Sequence, residues 1–227
     1  MDIVRLSENT LIVLFEQTIS IANLELVSRV TQSIKDNLSD NIIDIVPSYA
    51  SIHITFNVLK ISGAEFKATL AKVVEQSDTV HVKNHSTKVI EIPVYYGAEV
   101  ALDLPYIAQR ASLTEQEVIN IHANKLYDVY AIGFAPGFAY LGNVDERIAC
   151  PRKDTPREKI MQGSLGIAGK QTAIYPAASP GGWQIIGCTP IQLIDYKSEE
   201  LTPFSTGDKV KFKPIEKSDF LAMGGVL

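Results

Sequence analysis

Three stretches of the chain combine residue types that could do chemistry. In "PRKDTPR", Arg152 and Arg157 each lie beside a proline-stiffened backbone. A guanidinium fork suits carboxylate or phosphate oxygens bidentately, and a stiff loop loses less entropy on binding them. A solvated loop with ion pairs to Asp154 or Glu158 is the competing reading. In "GFAPGFAYLG", Pro136 and Gly137 force a tight turn ringed by Phe134, Phe138 and Tyr140. Such rings either plug a core or line a pocket rim. In "IYPAASPGGWQIIG", Pro176 and Pro180 restrict a loop, and Gly181 and Gly182 bare the backbone beside Trp183, the only tryptophan. A planar amide-containing small molecule could stack on the indole while Gln171, Gln184 or Tyr175 bonds its edge; a core tryptophan above a tight loop is the alternative.

Other chemistries fit less well. "GSLGIAGKQT" fails as a phosphate loop: five residues rather than four separate Gly163 from Gly169, Gln171 takes the hydroxyl position, and strands flank it. His81 and His85 lie in a polar segment with no third ligand at metal spacing, so no metal site is expected. There is no G-x-S-x-G, and Cys150 and Cys188 lack any C-x-x-C context, so both are expected as inert, reduced thiols.

Positioning these stretches takes at least one sizeable core. The 227 residues, 46% hydrophobic and 21% charged, suffice for two domains. A net charge of -5 without basic clusters excludes nucleic acid and membrane surfaces as partners. No signal peptide or membrane-length apolar run is read, which predicts a soluble, cytoplasmic protein.

The first third alternates strands and helices. "TLIVLFE" reads as a strand, and Ile21, Leu24, Val27, Val30, Ile34 and Leu38 recur at helical spacing. "IIDIV" and "SIHITFNV" form a hairpin around "PSYA", and "GAEFKATLAKVVEQ" follows as a helix bearing Phe66, Leu70, Val73 and Val74 on one side. With "KVIEIPVYY" as fourth strand the order becomes β-α-β-β-α-β, the ferredoxin-like arrangement, with a linker over Ser77 to Thr87. Next come two short helices, "LPYIAQRA" capped by Asp103 and "EQEVINIHAN" with a Thr114/Glu117 capping box. The runs "LYDVYAIGF", "SLGIAG", "TAIYP", "WQIIG", "IQLIDY" and "KVKFKPI" then predict an antiparallel barrel or sandwich. Nine of the 14 glycines and six of the 11 prolines fall between Gly133 and Pro190, so the shaped loops concentrate where the chemistry-bearing stretches lie.

In this order, "IGFAPGFAYLG", "PRKDTPREKIMQGSLGIAGKQTAIYPAASPGGWQIIGCTP" and the upstream "VINIHANKLYDVY" resemble the bacterial family of 5-oxoprolinase B subunits, sporulation-kinase inhibitors and allophanate hydrolase subunit 1, itself similar to part of the carboxyltransferase region of urea carboxylase. The resemblance implies an α+β chain with a ferredoxin-like domain over 1–88 and a cyclophilin-like β-barrel over 89–227. It implies ATP-driven opening of 5-oxoproline to glutamate alongside companion C and A subunits. ATP and Mg would be needed by the assembly, with no tightly bound cofactor on this chain. It gathers His122, Arg152, Arg157, Gln171, Tyr175, Trp183 and Gln184 around one pocket with the Phe134–Gly137 turn and Gly182. The arginines would hold a carboxylate or phosphoryl oxygen, Trp183 would stack, the glutamines would read the lactam and His122 would transfer a proton. Alternatives within the resemblance are a regulatory inhibitor of a sensor histidine kinase and a subunit of a urea- or allophanate-type carboxyl-transfer system. Cys188 stands where an arginine is common, which removes one positive charge from the usual pattern.

Overall fold

Strict alternation in "TLIVL" and "SIHITF" gives two strands with one apolar face each, and the two helical stripes are there to cover that face. The computed structural model describes residues 1–79, 88–198 and 200–227, so His81 and His85 lie outside the described residues. The chain divides into two compact units, Met1–Thr87 and Lys88–Leu227.

The first unit runs β1 (Asp2–Arg5), β2 (Thr10–Leu14), α1 (Ile21–Leu38), β3 (Ile42–Ser48), β4 (Ser51–Phe56) and α2 (Gly63–Thr79). Its sheet has the order β1-β2-β4-β3. Leu11, Val13, Ile52, Ile54 and Phe56 pack beneath Val27, Val30 and Ile34 of α1 and Phe66, Leu70 and Val73 of α2. Each such side chain contributes about 1.5–3 kcal/mol on burial. Ser20 caps α1, its hydroxyl accepting from the Asn23 amide at 3.1 Å. Ile21, counted in the apolar stripe, is exposed because it opens the helix beyond the sheet's cover. Pro47 is not turn chemistry: it sits within β3, where the edge position leaves a missing N–H without consequence. Ser77, expected to begin a linker, is buried on α2 with its hydroxyl donating to the Val74 carbonyl.

The expected fourth strand of this sheet belongs elsewhere. The N-terminal β1 fills that place, antiparallel to β2, so the order is ββαββα rather than βαββαβ. The segment expected there, β5 (Val89–Val94), pairs instead with the last strand of the second unit.

The second unit continues with α3 (Leu104–Ala111), α4 (Glu115–Asn124), β6 (Leu126–Ile132), β7 (Ala139–Gly142), β8 (Arg157–Ile160), β9 (Ser164–Ala168), β10 (Gln171–Ile174), β11 (Ser179–Gly181), β12 (Gln184–Cys188), β13 (Lys209–Pro214) and α5 (Lys217–Ala222). Seven strands form one sheet in the order β12-β9-β10-β7-β6-β13-β5. Its two ends are joined where Tyr95 and Cys188 exchange backbone hydrogen bonds of 2.8 Å each, so the sheet curls into a nearly closed barrel. A Cβ at Gly187 would lie 2.8 Å from Val94 Cγ1 and 2.9 Å from the Tyr95 carbonyl, so this close approach requires glycine. The barrel is mixed rather than antiparallel, because β13 runs parallel to β5.

The capping box of α4 forms as the sequence predicts. "IQLIDY" is not a strand; Leu193 and Ile194 are buried instead, against the turn at Gly137. Short β7, β8 and β11 carry too few residues for alternation to reveal them.

Candidate functional site

The two proline-rich stretches are fastened to each other. β8 and β11 pair as a two-stranded ribbon, with Gly181 opposite Arg157 and Ser179 opposite Ile160. The Lys153 amide donates to the Gly182 carbonyl at 2.7 Å, and Gln184 Nε2 donates to the Pro151 carbonyl at 3.1 Å. The segment from Pro151 to Arg157 therefore lies directly over the approach to Trp183.

Arg157 does not face outward for a ligand. Its fork donates to both oxygens of Asp103, 2.8 Å each, while Lys153 Nζ reaches the same carboxylate at 3.3 Å. Asp103 occupies the cap position of α3 but makes no capping bond, because its oxygens are committed elsewhere; one also accepts the Ile185 amide at 2.7 Å. Burial raises the pKa of this carboxyl, but the hydrogen bonds from Arg157 and Ile185 outweigh it, and the net shift is downward.

Trp183 is only 4% exposed. Phe138, 1% exposed, is the hub of the cluster, edge-to-face with Trp183 at 5.7 Å, Tyr175 at 5.4 Å, Tyr140 at 4.9 Å and Phe134 at 5.3 Å. Of the two turn phenylalanines, one plugs the core and the other, Phe134, is 70% exposed with φ of 73°. A large apolar residue held in the left-handed region at the surface is unusual. Gly137 takes φ of 75° in the same turn, against Ile194 and the Leu193 carbonyl. Over the indole lies Arg152, its Cζ 5.9 Å from the ring centroid, in cation–π range. Arg152 is exposed and makes no ion pair among the described residues. A guest stacking on this indole must displace it, so the open indole floor expected from the sequence is already occupied by protein.

Tyr175 is buried, which raises its pKa, and the neighbouring Trp183 backbone offsets part of that rise. Gln171 opens β10 and Tyr175 directly follows its last residue, about 13 Å apart at 3.3 Å per residue, so they do not converge on one edge of a small ligand. Gln184 is buried, and with its Nε2 on Pro151 its Oε1 is left without a partner among the described residues. Flipping the amide would set oxygen against oxygen, so the unpaired acceptor stands.

His122 is not at this site. It is fully buried, stacked on Phe212 at 4.8 Å and bonded to Tyr96 and Thr172. The Thr172 hydroxyl donates to the Gly166 carbonyl, so it accepts from His122 Nε2–H, and Nδ1 in turn accepts from Tyr96. Burial lowers the ring's pKa to about 3, which keeps it neutral and outside any exchange of protons with a ligand. The helix pattern of α4 carries a signal for this: His122 shares the inward face with Val118. Asp103 escapes a sequence-based choice of site residues because its position before a helix explains it locally. Burial pushes the thiols of Cys150 and Cys188 up to about 11, and neither is bridged.

No helix among the described residues is long and apolar enough to cross a membrane, and no three His, Cys, Asp or Glu side chains among them gather as a metal site.

Over residues 1–204 the chain matches the family described as carboxyltransferase domain, subdomain C and D. It is 34% identical to the B subunit of 5-oxoprolinase from Bacillus subtilis, over 96% of this chain and 94% of that one. The solved structure of TTHA0988 superimposes with a TM-score of 0.79 at 28% identity, covering 91% of this chain and 40% of that one. Urea carboxylase of Kluyveromyces lactis shares the fold at a TM-score of 0.75 and 18% identity, this chain spanning 22% of its length. The match over residues 1–204, together with 34% identity along nearly the whole of a 5-oxoprolinase B subunit, establishes that this chain belongs to the carboxyltransferase C/D-domain family.

Proposed function

We propose that the chain is the B subunit of an ATP-dependent 5-oxoprolinase, which opens 5-oxoproline to glutamate together with C and A subunits in the cytoplasm. The observation that carries this reading is the 34% identity to such a polypeptide along nearly the whole of both chains. The site adds chemical support: a compact lactam acid brings one carboxylate and one N–H donor. Arg152 offers a cation without an ion pair among the described residues, and the Gln184 Oε1 acceptor lacks a donor. Roles follow from this. Arg152 binds the carboxylate, Trp183 and Phe138 form the wall, and the unpaired Oε1 of Gln184 receives the lactam N–H. Arg157 holds the loop rather than the ligand, and His122 braces the barrel.

ATP does not fit this chain's own phosphate-like segment. Gly163 to Thr172 forms the β9–β10 hairpin rather than a loop opening a helix, and Lys170 is paired with Glu146. We place nucleotide and Mg on the companion subunits, and on this reading the chain alone does not turn over. The two compact units act as separate domains, the second a cyclophilin-like barrel and the first keeping only the α/β layering of a ferredoxin-like domain.

The likeness in fold to urea carboxylase favours one second reading, a subunit of a carboxyl-transfer system. Purification with the C and A subunits, followed by assay of ATP-dependent glutamate formation from 5-oxoproline, tests the choice. Turnover that needs this chain supports the proposal. An assembly inert toward 5-oxoproline that instead carboxylates urea-like substrates, or that blocks autophosphorylation of a sensor kinase, overturns it.

A further inference from the structure

The segment from Arg152 to Arg157 presents three cations, and the structure disposes of them unequally. Arg157 and Lys153 converge on one carboxylate, that of Asp103, which is 50 or more residues away in sequence and almost fully buried. Arg152, next to Lys153, lies over the indole face and makes no ion pair among the described residues. Asp103 is tied to β12 as well: its amide donates to the Ile185 carbonyl and its Oδ2 accepts the Ile185 amide, both at 2.7 Å. One side chain thus links the start of α3, the strand that follows Trp183, and two points of the loop that carries Arg152. A capping role does not account for it, because no capping bond forms.

We propose that Asp103 is a positioning residue: by holding Arg157 and Lys153 it fixes the loop so that Arg152 alone stays over Trp183 as the cation that receives a ligand carboxylate. Lys153 and Arg157 are the two points held on Asp103, Arg152 directly precedes the first of them, and the bond from the Lys153 amide to the Gly182 carbonyl ties its backbone down beside Trp183. Neutralising Asp103 leaves two cations next to each other with no counter-charge, which drives the loop outward and takes Arg152 with it. A ligand then meets a cation that is no longer preorganised, and binding weakens while later steps are spared. The identity of the ligand rests on the proposed function; the placement of Arg152 does not.

Because Trp183 is the only tryptophan, its emission reports the loop directly in the full-length chain. In Asp103→Asn, verified as folded by circular dichroism, emission should shift to the red and acrylamide quenching should rise about twofold, as expected of an uncovered indole. In the assembled complex, KM for 5-oxoproline should rise about tenfold with kcat within about threefold, and this KM penalty should vanish when Arg152→Ala is already present. If Asp103→Asn does not fold, Arg157→Lys keeps the charge, loses the fork and should give the same changes at smaller size. Unchanged emission and quenching in a folded variant overturns the proposal, as does a KM penalty equally large with and without Arg152. A complex that ignores 5-oxoproline counts against the proposed function only, and the fluorescence result still decides the role of Asp103.

Discussion

Gly181 faces the phenol of Tyr175 so closely that a Cβ at this position would lie 2.3 Å from the hydroxyl oxygen, whereas a Cβ at neighbouring Gly182 would meet nothing nearer than 3.5 Å. The paired glycines therefore have different reasons to exist. Gly181→Ala should destabilise the chain by about 1–3 kcal/mol, and Gly182→Ala should stay within about 0.5 kcal/mol of wild type. Urea denaturation measures both, and Tyr175→Phe should restore part of the Gly181→Ala loss by removing the nearest atom.

The two arginines of the loop should separate in the same experiment. Arg157→Ala leaves the buried Asp103 with the Ile185 amide and, as counter-charge, the longer Lys153 contact, and should cost about 1–3 kcal/mol. Arg152→Ala removes an exposed cation–π contact worth about 0.5–1 kcal/mol. In the assembled complex the order reverses for binding: Arg152→Ala raises KM for 5-oxoproline more than Arg157→Ala does. Equal stability losses would show that the Asp103 fork contributes no more than a surface pair.

Phe134 and Phe138 flank one turn with opposite exposure. Phe138→Ala empties the centre of the aromatic cluster and should cost about 3–5 kcal/mol. Phe134→Gly loses one edge-to-face contact but relieves a left-handed backbone, so its net effect on stability, read from the denaturation midpoint, should be under about 1 kcal/mol.

The buried, neutral His122 makes stability depend on acid. Its folded pKa is lowered to about 3 by burial, while the unfolded ring titrates near 6.5. Between those values only the unfolded chain takes up the proton. Native stability therefore falls as pH drops below about 6.5, by about 1.4 kcal/mol per unit, and is unaffected well above that value. Between pH 7 and 5.5 the wild type should lose about 1 kcal/mol more than His122→Gln does. Urea melts at the two pH values give this difference.

Both thiols should be silent in the native state. Buried and pushed up to about 11, Cys150 and Cys188 should react with an aromatic disulfide reagent only as fast as the chain unfolds, and both should react at once in denaturant.

What the sequence reveals follows from which interactions are local. The stripe from Leu24 to Leu38, the Thr114/Glu117 box and the β3–β4 hairpin are all written within one turn or one strand length, and all form. The failures are long-range. Val89 to Val94 has the pattern of a buried strand, but no local feature says that its partner lies more than a hundred residues later at Lys209 to Pro214. Likewise "PRKDTPR" shows two equivalent arginines, and only the distant Asp103 makes them unequal. Trp183 is legible as a focal residue, but the cover over its ring is not, because Phe138 and Arg152 reach it from separate loops.

The junction at Tyr95 and Cys188 has a consequence for how this chain meets others. Two reciprocal amide bonds and a missing side chain at Gly187 bring the two bare margins of a ribbon together. A side chain at residue 187 would part the margins at this bridge and expose a seam on which a stray strand could grow.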